Sequence, residues 1–236
     1  MNYAVIFAGG VGSRINSKTK PKQFLEIHGK PIIIHTIEHF SMHPEIDAIC
    51  IVCVQEWIGY LKLQLNRFAT TKVRWVVPGG ATAIESQYIG LRVLNCNGDD
   101  VVLIHDGVRP LINEKTISEC IEGVKLHGSA ITIAPAIETI VQQNDSRMIT
   151  QTYPRSECML ARAPQCFRYA DILATHERAQ SEGKTFVDSA SMMLNYGYSL
   201  YTIEGPVENI KVTTPMDFYL CRALLDAREA AQIYGI

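Results

Sequence analysis

Five short apolar runs recur along the first 135 residues: YAVIFA (3–8), AICIVCV (48–54), VRWVV (73–77), DVVLIH (100–105) and AITIAP (130–135). Stretches long enough for amphipathic helices separate them. The runs are almost continuously apolar rather than alternating, so a strand built from them must be covered on both faces. Strands of that kind, separated by helices, form a parallel sheet with crossover helices on either side, an α/β three-layer sandwich. Helices are expected at roughly 31–42, 56–68, 82–95, 113–127, 169–182, 188–196 and 215–232. Thr82 with Glu85 three residues on, Asn113 and Asp188 are the expected starts of three of them.

One segment breaks this rhythm. ETIVQQNDSRMITQTYPR (138–155) holds two strand-like runs around the turn-prone NDS, which reads as a β-hairpin inserted in the frame. Such a ribbon has little core of its own and must pack on a partner chain or cap a site. The chain is therefore read as one domain, 1–236, with an arm at about 138–160. Its length suffices for one sizeable core.

The bulk charge excludes some partners. A net charge of −2 leaves no electrostatic footprint for nucleic acid or an anionic membrane, so any anion must be held by a local cluster. The opening MNYAVIFAGG has too short an apolar run for a signal peptide, and no run approaches a membrane span. A cytoplasmic protein is the expectation. Seven cysteines scattered through strands and helices fit a reducing compartment. Cys50 and Cys53 have a metal-like spacing, but strand alternation sends their side chains to opposite faces.

The local cluster follows the first strand. Gly9, Gly10 and Gly12 occupy the loop where open α/β sheets bind ligands, and glycines there let backbone N–H groups approach phosphate oxygens. The spacing is neither that of the nucleotide-hydrolase loop, which needs Gly-Lys-Ser/Thr, nor that of the dinucleotide fingerprint, since Ile15 stands where a third Gly or Ala belongs. Arg14 can grip a phosphate with two donors, and Lys22, close to Lys18 and Lys20, can neutralise charge during phosphoryl transfer. In VVLIHDGVRP, Asp106 ends a buried strand and is placed to hold Mg²⁺, with Arg109 three residues on. An Asp–Arg ion pair would explain the same two residues. His105 is expected to pack rather than act as a base.

AGGVGSR followed by PKQF resembles the signature of the cytidylyltransferases that activate sugar-alcohol phosphates, the family of the 2-C-methyl-D-erythritol 4-phosphate and ribitol-5-phosphate enzymes. The likeness continues in HDGVRP, ETIV, APQCF, DSAS and NIKVTTPMD, nearly the whole chain. The resemblance implies a mostly parallel, Rossmann-like nucleotidyltransferase sheet, CTP as donor, Mg²⁺ or another divalent cation, and a homodimer with an exchanged hairpin arm. It implies Arg14, Lys22 and Lys211 as catalytic cations, with Lys211 expected in a short strand. Ala8, Gly9, Gly10, Gly12, Gly80, Ser86 and Asp106 are implied on the nucleotide, with Asp106 also on the metal. Arg109, Thr139, Arg155 and Asp188 are implied on the acceptor, Thr139 and Arg155 from the neighbouring subunit; Asp188 is equally well a helix cap. The acidic and arginine residues usual between Gly80 and Ser86 are replaced by Ala81 and Ala83.

The reaction so implied is attack by an acceptor phosphate oxygen on the α-phosphorus of CTP, releasing pyrophosphate, with no covalent nucleophile. The glycine pair and NIKVTTPMD lean toward ribitol 5-phosphate as acceptor, whereas VDSAS leans toward 2-C-methyl-D-erythritol 4-phosphate. ARAPQ departs from the Gly-Gln-Thr that often precedes Pro-Gln in the ribitol group. A catalytically silent nucleotide-binding protein is the reading of another class, and a Rossmann oxidoreductase is disfavoured by the loop spacing.

Overall fold

The computed structural model describes residues 1–9 and 20–234. Gly10, Gly12, Arg14 and Lys18 therefore lie outside the described residues. The elements begin with β1 (Asn2–Ala8), β2 (Glu26–Ile27), β3 (Lys30–Pro31), α1 (Ile32–Met42), β4 (Ala48–Cys53), α2 (Ile58–Arg67), β5 (Val73–Pro78), α3 (Ala83–Arg92) and β6 (Val101–Asp106). They continue with α4 (Glu114–His127), β7 (Ser129–Pro135), β8 (Ile140–Gln143), β9 (Ile149–Tyr153), β10 (Met159–Arg168), α5 (Tyr169–Ser181), α6 (Ser189–Asn195), β11 (Thr202–Glu204) and α7 (Pro215–Tyr234).

Seven strands form one sheet in the order β11-β7-β10-β6-β1-β4-β5. β1 pairs in parallel with β4 and β6, and β4 with β5, as the continuous apolar runs require. β10 is the exception: it runs antiparallel between β6 and β7. The register across β1 sets the two faces. Ala4, Ile6 and Ala8 join Ile51 and Phe40 in a cluster under α1, α2 and α4, while Tyr3 and Val5 join Val52, Leu91 and Phe167 under α3, α5 and α6. Cys53 belongs to the first cluster and Cys50 to the second, on opposite faces as alternation predicts, and all seven thiols are free. Burial pushes the Cys50 and Cys53 thiols up to about 12, so neither is a nucleophile or a ready metal ligand.

Local chemistry accounts for the helix starts. Asn113 accepts from the Thr116 N–H, and Asp188 with Ser191 forms a reciprocal capping box. Thr214 and Asp217 do the same at α7, where Pro215 occupies the first helical position. Thr82 caps α3 through the Glu85 N–H, but the Glu85 carboxylate reaches past it to the Ala81 N–H at 2.7 Å. α3 lies close on the sheet because Gly90 faces it: a Cβ there would meet Val5 at 2.5 Å and Val52 at 2.8 Å.

The hairpin is present as β8 and β9, a separate two-stranded sheet outside the main one. Its apolar side chains Val141, Met148 and Ile149 are exposed. Lys211 is not in a strand. It lies in irregular chain between β11 and α7, whose Val212 N–H bonds the Val108 carbonyl at 2.9 Å. This segment crosses the end of β6 instead of running along a sheet edge, so it has no ladder to join.

Candidate active site

The carboxyl ends of β1, β4, β5 and β6 meet at one rim of the sheet, where the chain leaves through Gly9, Val54, Gly79 and Gly107. Two cavities open there, of about 220 and 170 Å³, and they share Phe7, Ala83, Asp106 and Lys211 as common wall. They are two lobes of one cleft with Asp106 and Lys211 at the junction. Gly9, Lys22, Gly80 and Ser86 line the first lobe; Arg109 and Asp188 line the second.

The first lobe is shaped by backbone. The Ser86 hydroxyl accepts from the Gly80 N–H at 3.1 Å and donates to the Thr82 carbonyl at 2.9 Å, which folds the 80–86 loop over the end of β1. It stands 3.0 Å from where a Cβ would project from Gly9, so a side chain at 9 would press on it. Gln23, fully buried, donates from Nε2 to the Ala8 carbonyl at 2.7 Å and ties the turn carrying Lys22 to β1. Lys22 also acts electrostatically on Asp217 at the start of α7.

The junction is an ion triad. Asp106 receives Lys211 Nζ on Oδ1 at 2.5 Å and Arg109 Nε on Oδ2 at 2.8 Å. Burial alone would push the Asp106 carboxyl up, but Lys211 and Arg109 outweigh it and hold the group below the usual carboxylate range. It is ionised at neutral pH. His105, completely buried, packs at a tilt against Phe40 with ring centroids 5.0 Å apart, and hydrogen-bonds the Arg109 carbonyl at 3.1 Å. Its burial pushes the ring down to about 4, which makes it a neutral packing residue.

In the second lobe, Gln165 donates to Asp188 at 2.9 Å and accepts from the Ala190 N–H, holding the carboxylate at the rim. Arg109 and Arg162 each donate to the carbonyl of the fully buried Asn209 at 2.8 Å. Gln23, Arg162, Gln165 and Asn209 are absent from the sequence expectations as site residues, although they lie inside the stretches PKQF, ARAPQ, APQCF and NIKVTTPMD. Thr139 and Arg155 are exposed on the arm side and line neither lobe of their own chain.

The donor set can be tested against Mg²⁺. Among the described residues there is no group of three His, Cys, Asp or Glu side chains that could hold a metal, so these side chains form no metal cage of their own. One ionised carboxylate at the junction fits the other Mg²⁺ mode, in which the ion binds one or two carboxylates together with substrate phosphates and water. Among the described residues no helix is long and apolar enough to cross a membrane.

Comparisons with known proteins agree with this geometry. The family 2-C-methyl-D-erythritol 4-phosphate cytidylyltransferase matches residues 2–227. A curated relative from Streptococcus agalactiae named ribitol-5-phosphate cytidylyltransferase is 52% identical, with both chains covered completely. A 2-C-methyl-D-erythritol 4-phosphate cytidylyltransferase from Geotalea uraniireducens is 38% identical over 94% of this chain and 95% of its own. The crystal structure of 4-diphosphocytidyl-2C-methyl-D-erythritol synthase from Anaerococcus prevotii superposes with a TM-score of 0.84, at 25% identity, over 95% of this chain and 96% of that one. A cleft at the strand ends with Lys211 and Arg109 gathered on one buried carboxylate, and a family match from residue 2 to residue 227, lead to one conclusion: the chain belongs to the 2-C-methyl-D-erythritol 4-phosphate cytidylyltransferase family.

Proposed function

We propose that this enzyme transfers CMP from CTP to ribitol 5-phosphate, giving CDP-ribitol and pyrophosphate. The observation that carries the acceptor assignment is the full-length, 52% identical streptococcal relative of that name, against 38% for a relative named for the methylerythritol substrate. The family name favours the latter as the second reading.

The reaction brings two anions together, so the chain must supply charge and position rather than a nucleophile. The first lobe takes the nucleotide, with the Gly9 backbone beside the phosphates and the Gly80–Ser86 loop beside the base. The acceptor occupies the second lobe. An acceptor phosphate oxygen then attacks the α-phosphorus at the junction, the α–β bridging bond breaks, and its electron pair leaves with pyrophosphate. Lys22 and Lys211 stabilise the crowded phosphorus, joined by Arg14 from outside the described residues. Asp106 would hold Mg²⁺, which supplies further charge neutralisation on the phosphates.

The whole chain works as one domain whose hairpin arm pairs two copies as a homodimer. Thr139 and Arg155 then reach the partner's acceptor lobe, which fits their distance from the cleft of their own chain. The enzyme works in the cytoplasm, where CTP is available, with no membrane or nucleic-acid partner. The test is pyrophosphate release in the presence of Mg²⁺, offering CTP, UTP, ATP or GTP with ribitol 5-phosphate. CTP-dependent release abolished by a chelator supports the reading; CTP binding without pyrophosphate release from any of the four nucleotides supports a silent nucleotide-binding protein instead.

A further inference from the structure

The charges of the second lobe do not cancel. Arg109 has Asp106 as its counter-ion at 2.8 Å, and Lys211 has the other oxygen of the same carboxylate. Asp188 is occupied by the cap of α6 and by Gln165. Arg162, half-buried, lines the same lobe, and among the described residues no carboxylate lies within ion-pair distance of it. Its hydrogen-bond partner is the Asn209 carbonyl, shared with Arg109. Glu208, the acidic group that acts on it, is itself paired with Arg228 at 3.1 Å. Burial and the like charge of Arg109 both pull the Arg162 pKa down, the mark of a cation short of compensation.

Such an arrangement is costly unless an anion completes it. A guanidinium presents five donors in a planar fork, and one N–H on Asn209 leaves donors for two oxygens of a single phosphate. Asn209 supports this placement: it has no exposed surface, and its side chain donates to the Ala163 carbonyl at 2.8 Å, bracing the chain beside Arg162 from within.

We infer that Arg162, held with Arg109 on the Asn209 carbonyl, is a phosphate-binding residue of the acceptor lobe that selects a phosphorylated polyol over the free polyol. The inference rests on the proposed function for the identity of the acceptor, and on this chain's own charge balance for the anion.

The test uses the full chain with Arg162→Gln and Arg162→Lys. Kinetics with CTP and ribitol 5-phosphate are expected to show acceptor KM raised about tenfold or more in R162Q, CTP KM within about twofold of wild type, and partial rescue in R162K. Inorganic phosphate should inhibit the wild type competitively against the acceptor and inhibit R162Q at least about fivefold more weakly. Equal rises in both KM values, or a loss of melting temperature with unchanged acceptor KM, would make Arg162 a strut for the Asn209 turn and overturn the inference. If the wild type turns over no polyol phosphate, the proposed function fails, and inorganic phosphate binding read by equilibrium titration with CTP present decides separately. Binding lost in R162Q upholds the site, and equal binding by the two proteins removes it.

Discussion

Lys211 Nζ stands 2.5 Å from Oδ1 of Asp106, although 105 positions separate the two residues in sequence. The contact fixes an otherwise irregular segment across the end of β6 and places a cation where the two lobes of the cleft meet. Arg109 takes the other oxygen, so one carboxylate positions two cations.

Removing the carboxylate should therefore do more harm than removing one cation. Asp106→Asn leaves Arg109 and Lys211 facing each other without a counter-charge, and a cost of about 3–5 kcal/mol in stability is expected. Lys211→Ala leaves Asp106 paired with Arg109; because the Lys211 side chain is 42% exposed, its stability loss should stay within about 1 kcal/mol. Its kcat should nevertheless fall by about two to three orders of magnitude. Denaturant titration and steady-state kinetics on the two variants separate these effects.

The approach of Gly9 to Ser86 predicts a coupling. Gly9→Ala places a Cβ 3.0 Å from the Ser86 hydroxyl, which two hydrogen bonds hold in place. CTP affinity is expected to fall roughly tenfold, and Ser86→Ala to recover part of that loss in the Gly9→Ala background. A double-mutant cycle on CTP binding should give an interaction of about 0.5–3 kcal/mol, and simple additivity would count against the contact.

How much of this could be read beforehand depends on how local each determinant is. The five strand runs, the capping residues Asn113 and Asp188, and the opposite faces of Cys50 and Cys53 follow from neighbours in sequence, and the structure has them as expected. Lys211 lies outside any strand although VENIKV has strand-like composition, because the sheet edge such a strand needs is a matter of tertiary placement. β10 carries no clear strand signal, because its outer part, Met159–Ala161, is exposed and its inner part carries the buried polar Gln165. Arg162 and Asn209 meet across 47 positions, and only the fold brings them together. The glycine loop could be read as a ligand loop, yet Gly10, Gly12 and Arg14 lie outside the described residues.

Acid should weaken the fold through His176. The ring is buried against Tyr88, its Nε2 has no partner among the described residues, and burial pushes it down to about 4. The unfolded chain takes a proton near pH 6.5 and the folded one only near pH 4, so the unfolded state binds more protons between those values. Stability is complete above about pH 6.5 and falls as pH drops toward 4, by roughly 3 kcal/mol from this residue. His176→Phe should keep the fold at pH 7.5 and flatten the loss of melting temperature over that interval; an unchanged pH profile would refute the assignment.

The arm makes a separable prediction. Val141, Met148 and Ile149 are exposed on a ribbon that stands outside the main sheet. Replacing 140–153 by a short Gly-Ser turn should convert a dimer into a monomer in sedimentation, retain CTP binding, and lower kcat/KM for the acceptor by at least about tenfold. A dimer that persists would place the interface elsewhere.

The central claim is that the two-lobed cleft joins CTP to ribitol 5-phosphate. Its most direct test is kcat/KM measured with saturating CTP and Mg²⁺ for ribitol 5-phosphate and for 2-C-methyl-D-erythritol 4-phosphate, with the CDP-linked product identified by mass. A preference of at least about a hundredfold for ribitol 5-phosphate, with CDP-ribitol as product, is predicted. A preference for the methylerythritol substrate, or turnover of neither, would contradict it.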